Sequence, residues 1–121
     1  FQRRVEILTQ VVVTGDTDRL PSAVRHSVLA IVRHALTNIR IHARATAVTI
    51  RADISATTCT ASVTDNGVGF DLAAYRAGPP APQHLGLTSM EERAALVGGR
   101  LQIESAPGRG TTVTIHIPLG G

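Results

Sequence analysis

Hydrophobic positions recur along this chain with two periods, and the changes of period mark out its elements. Residues 5–14 are rich in β-branched side chains, with an uninterrupted Val11-Val12-Val13, and Gly15-Asp16 supplies the turn that ends such a strand. From Pro21, suited to the first position of a helix, Val24, Val28, Ile31, Val32, Ala35, Leu36 and Ile39 return every three or four residues. That spacing predicts an amphipathic helix of about five turns, ending near Ile41 or His42. Residues 46–54 then alternate, with Val48, Ile50, Ala52 and Ile54 set against Thr49, Arg51 and Asp53. Residues 58–64 alternate in the same way, with Cys59, Ala61 and Val63 on one face, so a hairpin is expected.

Residues 71–84 contain Gly78-Pro79-Pro80-Ala81-Pro82, which suits neither a regular helix nor a central strand. A loop is expected there, longer than a compact fold usually keeps without a use for it. Leu87, Met90, Ala94 and Val97 mark the inner face of a second helix, and Gly98-Gly99 stops it. Residues 100–105 and 111–119 are two more alternating stretches, joined by Pro107-Gly108-Arg109-Gly110. The order is β-α-β-β-loop-α-β-β. One-sided alternation points to an α/β two-layer sandwich: a mixed, mostly antiparallel sheet with helices on one face. A doubly wound fold would need strands apolar throughout.

Composition narrows the picture. At 121 residues, one folded unit spanning residues 1–121 is the simplest expectation. A chain of this size buries roughly 65% of its unfolded surface, enough for one core. Aromatic residues are 2% of the chain, so Val, Ile, Leu and Ala must build that core, and base stacking on single-stranded nucleic acid is disfavoured. The net charge of +3 comes from scattered arginines, with no lysine and no basic tract, so phosphate ligands are a milder inference than nucleic acid. The single Cys59 allows no internal disulfide and fits a small core residue. No signal peptide or membrane-length apolar run is present, and a cytoplasmic location without direct membrane contact is expected. Because the chain opens directly in a strand-like pattern, it reads as a C-terminal piece of a longer protein.

The candidate chemistry centres on Asp65-Asn66-Gly67-Val68-Gly69, which follows the 58–64 strand. A carboxylate beside backbone stripped of side chains can present an acceptor to the edge of a flat base. The same residues also suit an ordinary turn. No Gly-x-x-x-x-Gly-Lys phosphate loop is present, and Gly67-Val68-Gly69 lacks the strand-to-helix setting of a dinucleotide site.

Four segments in order carry a resemblance. They are Arg33-His34-Ala35-Leu36-Thr37-Asn38-Ile39-Arg40-Ile41-His42-Ala43, the Asp65–Gly69 turn, His84-Leu85-Gly86-Leu87-Thr88-Ser89-Met90-Glu91-Glu92-Arg93, and Pro107-Gly108-Arg109-Gly110-Thr111. Together they resemble the catalytic ATP-binding domain of bacterial sensor histidine kinases, nearest to the nitrate-sensor type, which has the Bergerat fold of DNA gyrase and a heat-shock chaperone family. The resemblance implies ATP and Mg2+ as ligands. It matches Asn38 to the magnesium-holding asparagine and Asp65 to the aspartate that accepts from the adenine amine. Gly67 and Gly69 match the glycines that let the base approach, residues 71–84 the lid over the phosphates, and Gly86 and Leu87 its hinge. Thr111 matches a threonine that supports the adenine contact, and His42 fits either a nucleotide contact or a helix C-cap.

The resemblance further implies transfer of the γ-phosphoryl group to a histidine on a separate upstream dimerisation domain, relay to a response regulator protein, and a homodimeric full-length kinase. His26, His34 and His116 are poorly placed to be that acceptor. Nucleic acid is not an expected partner. Three alternatives share the fold: a DNA-topology or repair ATPase, disfavoured by the compact length, a serine kinase of the anti-sigma type, and a degenerate pseudokinase acting by protein contact. The last is motivated by two departures, since the family has Glu at His34 and a basic residue at Ile41. At about 100° per residue, His34, Asn38 and Ile41 lie along the edge of the apolar stripe, with Arg33 and Arg40 towards solvent. His34 then either stands as a surface residue or takes over as a metal or phosphate contact, and phosphate neutralisation falls to Arg44, Arg93 or the metal.

Overall fold

A computed structural model describes residues 7–77 and 86–119. Among them are five strands: β1 (Leu8–Thr14), β2 (Ala47–Ile54), β3 (Thr58–Asp65), β4 (Arg100–Ser105) and β5 (Thr111–Pro118). They form one sheet in the order β1-β2-β3-β5-β4. β1 runs parallel to β2 and every other pair is antiparallel, the mixed sheet expected from the alternation.

Among the described residues three α-helices accompany the sheet: α1 (Ser22–Asn38), α2 (Leu72–Ala77) and α3 (Leu87–Leu96). α1 and α3 pack against each other and on one face of the sheet. Val24, Ile31, Ala35 and Ile39 of the first helical stripe meet Leu87, Met90 and Ala94 of α3 and the inward residues of β3 and β5, Cys59, Ala61, Val63, Val113, Ile115 and Ile117. Ile31 and Ile115 are fully buried, and burial of such a side chain contributes about 1.5–3 kcal/mol. The register places Thr60, Ser62 and Thr64 beside His116, Thr114 and Thr112 on the opposite face, which no described helix covers. Cys59 is buried in the core, and burial pushes its thiol pKa up.

The structure differs from the sequence reading at three places. Pro21 caps α1 from outside, with extended backbone, so the helix begins one residue later at Ser22. At its other end α1 continues into a wider π-helical turn, Ile39–Ala43, stopped by Arg44 at φ 52°, the one described non-glycine residue with positive φ. The expected 71–84 loop contains α2, whose six residues precede the Gly/Pro cluster; residues 78–84 lie outside the described residues. Of the strand expected over residues 5–14, the described part is β1, and residues 5 and 6 lie outside.

Candidate functional site

The alternation that buries Cys59, Ala61 and Val63 runs on to Asp65, so the last residue of β3 turns a carboxylate towards the core. Asp65 is only 5% exposed. Burial raises its pKa above the ordinary aspartate value, partly offset by the backbone N–H groups of Gly67 and Thr111, which donate to the carboxylate. The Gly67 N–H lies 2.7 Å from Asp65 Oδ1. Thr111 is the register partner of Asp65 across β3 and β5.

The loop after Asp65 is fastened on three sides. Asn66 Oδ1 accepts from the N–H groups of Thr46 and Ala47 at 2.9 and 3.0 Å, and its Nδ2 donates to Thr46 Oγ1 at 2.9 Å. The Val68 N–H donates to the Ala43 carbonyl at 2.7 Å, tying the loop to the π turn below α1. The Gly108 N–H donates to the Val68 carbonyl at 2.6 Å, tying it to the β4–β5 connection. A side chain at Gly67 would strike the Ala43 carbonyl and come within 2.8 Å of Asp65 Oδ1, so the close approach to the π turn requires glycine there. Ser105 completes the frame. Its Oγ accepts from the Phe70 N–H at 2.9 Å and lies 2.8 Å from Thr111 Oγ1 and 3.1 Å from the Gly110 carbonyl.

These elements enclose a cavity of about 310 Å³ between α1, β3, β5 and α2. Asn38, His42, Asp65, Gly69, Leu87 and Thr111, six of the positions expected in the site, line it. Ala35, Ile39, Val63 and Val113 add aliphatic wall, and Phe70 and Tyr75 add two rings. The enclosure is therefore mostly apolar with a buried carboxylate at one edge, a form suited to a flat heterocycle with a hydrogen-bonding edge.

Gly67 and Gly86 shape the frame without lining the cavity. Gly86 precedes α3 in the left-handed region, at φ 64°, a conformation glycine adopts without cost. A Cβ there would collide with Cε1 and Nε2 of His34. His34, half-buried, thus stands against the start of α3 and not among the cavity-lining side chains. Ile41 is 58% exposed and, like the exposed Arg40 and Arg44, does not line the cavity.

Oxygen and nitrogen donors at the α1 side of the cavity are Asn38 and His42. Among the described residues no cluster of three or more His, Cys, Asp or Glu could cage a metal. A donor set this sparse fits a magnesium ion that arrives with nucleotide phosphates and water as its main ligands.

Phe70, Tyr75 and Ser105 escaped the sequence reading. Ser105 gave no signal, since a serine ending a strand is unremarkable. The two rings could have been found from their rarity: the chain has three aromatic residues, and two meet here.

Residues 15–121 match the model of the histidine kinase-, DNA gyrase B- and HSP90-like ATPase family. The chain belongs to that family. Within this ATPase family its resemblance is to sensor histidine kinases. It is 36% identical over 115 residues to a sensor-like histidine kinase of Chloroflexus aurantiacus, covering 92% of this chain and 19% of that protein. It is 33% identical over 119 residues to the histidine-protein kinase/phosphatase DegS of Brevibacillus brevis, covering 98% and 30%. The blue-light activated histidine kinase of Erythrobacter litoralis has the same fold, with a TM-score of 0.76 at 26% identity over 96% of this chain and 36% of that one. The chain thus spans about a third or less of these relatives. The chain is the catalytic ATP-binding domain of a sensor histidine kinase. Among the described residues no helix is long and apolar enough to cross a membrane.

Proposed function

We propose that this ATPase-family domain binds Mg-ATP in the cavity between α1 and β3 and, within a longer sensor kinase, donates the γ-phosphoryl group to a histidine on a separate dimerisation domain. The observation that carries the reading is the buried Asp65 carboxylate at the edge of an otherwise apolar enclosure. Ionised, it accepts from the exocyclic amine of adenine; guanine offers an oxygen at that place and would leave the carboxylate unpaired. Thr111, on the neighbouring strand, supports that edge, and Gly67 and Gly69 keep it open. Asn38 and His42 face the phosphate side.

Magnesium, when bound, neutralises charge on the β- and γ-phosphates. Asn38 is the residue that would hold it, through a neutral carboxamide oxygen. The first-turn N–H groups of α3, beginning at Leu87, suit an anion. In the transfer the bond from the γ-phosphorus to the bridging oxygen of ADP breaks, a bond to the acceptor imidazole nitrogen forms, and ADP leaves. Relay to a response regulator and homodimerisation of the longer protein complete the proposal. So do a lid role for residues 71–84 and a cytoplasmic setting.

The exposed Ile41 and the placement of His34 favour one second reading, a domain that binds nucleotide weakly and acts by protein contact. Calorimetric titration with Mg-ATP separates the two. Saturable heat is expected with the domain as it stands, and none with Asp65→Asn. Equal affinity in that variant would remove Asp65 from the site, and no heat in either protein would leave the interaction module.

A further inference from the structure

Among the described residues the core is otherwise built without aromatic rings, yet Phe70 and Tyr75 meet at the cavity. Their ring centroids are 5.8 Å apart at an interplanar angle of 65°, an edge-to-face pair. Phe70 is fixed from the strand side, because its N–H is held by Ser105. Tyr75 comes from α2, whose Tyr75 N–H donates to the Asp71 carbonyl at 3.0 Å, with the Ala74 N–H held by Asp71 Oδ1 at 3.0 Å. The next residue, Arg76, reaches Glu91 at 3.3 Å, a surface ion pair that links α2 to α3. A short helix is thereby used to bring one ring to the cavity.

We propose that Phe70 and Tyr75 form the wall that takes the flat face of the bound base, with Tyr75 as the affinity-determining ring. The inference rests on the nucleotide reading above and deepens it. Asp65 can hold a base only at its edge, in the plane of the ring, so the faces must be covered by other groups. Ile39, Val63 and Val113 supply aliphatic cover, and the aromatic pair supplies polarisable cover that an aliphatic residue of similar bulk would not match.

The sequence provides its own probe. Tyr75 is the only tyrosine and there is no tryptophan, so protein made with isotope-labelled tyrosine gives NMR ring signals from this residue alone. On titration with adenosine and with Mg-ATP, those signals are expected to shift and to saturate together with the calorimetric binding curve. Tyr75→Leu should weaken adenosine and Mg-ATP by the same factor, roughly tenfold, and Tyr75→Phe should stay close to the unsubstituted domain. Unchanged or tighter binding in Tyr75→Leu would mean the ring merely plugs an empty cavity, and Tyr75→Phe as weak as Tyr75→Leu would assign the effect to the hydroxyl; either overturns the inference. Calorimetric binding with a silent tyrosine ring overturns it while the nucleotide reading stands. No binding of either ligand overturns both.

Discussion

Asp65 occupies a position where the pattern of β3 would put another small apolar residue, and the fold bears a cost for the substitution. Its pKa is raised chiefly by burial. The folded protein therefore holds this proton to higher pH than the unfolded chain does. The stability that the proton contributes is present below the ordinary aspartate value and is lost as pH rises through the raised folded value. Asp65→Asn has no charge to bury. Across that window the variant should gain thermal stability relative to the unsubstituted domain, although it no longer binds nucleotide. Nucleotide affinity of the unsubstituted domain should run the other way, rising with pH as the carboxylate ionises. Melting curves collected across the window decide it: parallel curves for the two proteins would show that the carboxylate is not desolvated by the fold. The proposed adenine contact would account for that cost, because a side chain selected for stability alone would have been Val or Ala.

Among elements, the decisive junctions are those where one connection is fastened to another. The strand pattern and the helix stripes were legible because burial on one face forces a period of two or 3.6 on the sequence. Asp65, Gly69, Asn38 and Thr111 were singled out through the four-segment resemblance, and the structure brings them to one cavity. The junctions were not legible, since nothing local announces that Ser105 will hold Phe70, or that the π turn will offer the Ala43 carbonyl to Val68. The short α2 was hidden by the Gly/Pro cluster that follows it. His34 against Gly86 is of the same kind, a contact between α1 and the start of α3. Ala at Gly86 would suffer both left-handed strain, about 1–2 kcal/mol, and collision with the imidazole. Gly86→Ala should therefore be markedly destabilising alone and milder when His34→Ala is also present. Denaturant unfolding of the four proteins of this cycle should give a coupling of about 1 kcal/mol or more. Strictly additive costs would mean that the two residues do not touch.

At the scale of the molecule, the sheet order puts the site and the periphery at different strengths. β3 and β5 lie inside the sheet, bordered on both sides, and their residues at the cavity end carry Asp65 and Thr111. β1 has one neighbour, β2, and is exposed along nearly all its length, with Leu8 at 76% and Val11 at 61%. Its uninterrupted valines belong to an edge: Val12 is half-buried and Val11 and Val13 are open. Period alone cannot tell a buried central strand from an apolar edge strand.

That edge position has a kinetic meaning. Opening β1 breaks one ladder and uncovers little of the core, so its amides should exchange with deuterium by local detachment, at a cost well below that of unfolding the whole domain. The amides of β3 and β5 should exchange only with global opening, and nucleotide should slow them by the full binding free energy while leaving β1 almost unchanged. Exchange followed residue by residue, with and without Mg-ATP, tests this; equal slowing of β1 and β5 would show that the edge opens only with the rest. One margin of the sheet could then loosen and re-form while the domain keeps hold of its nucleotide.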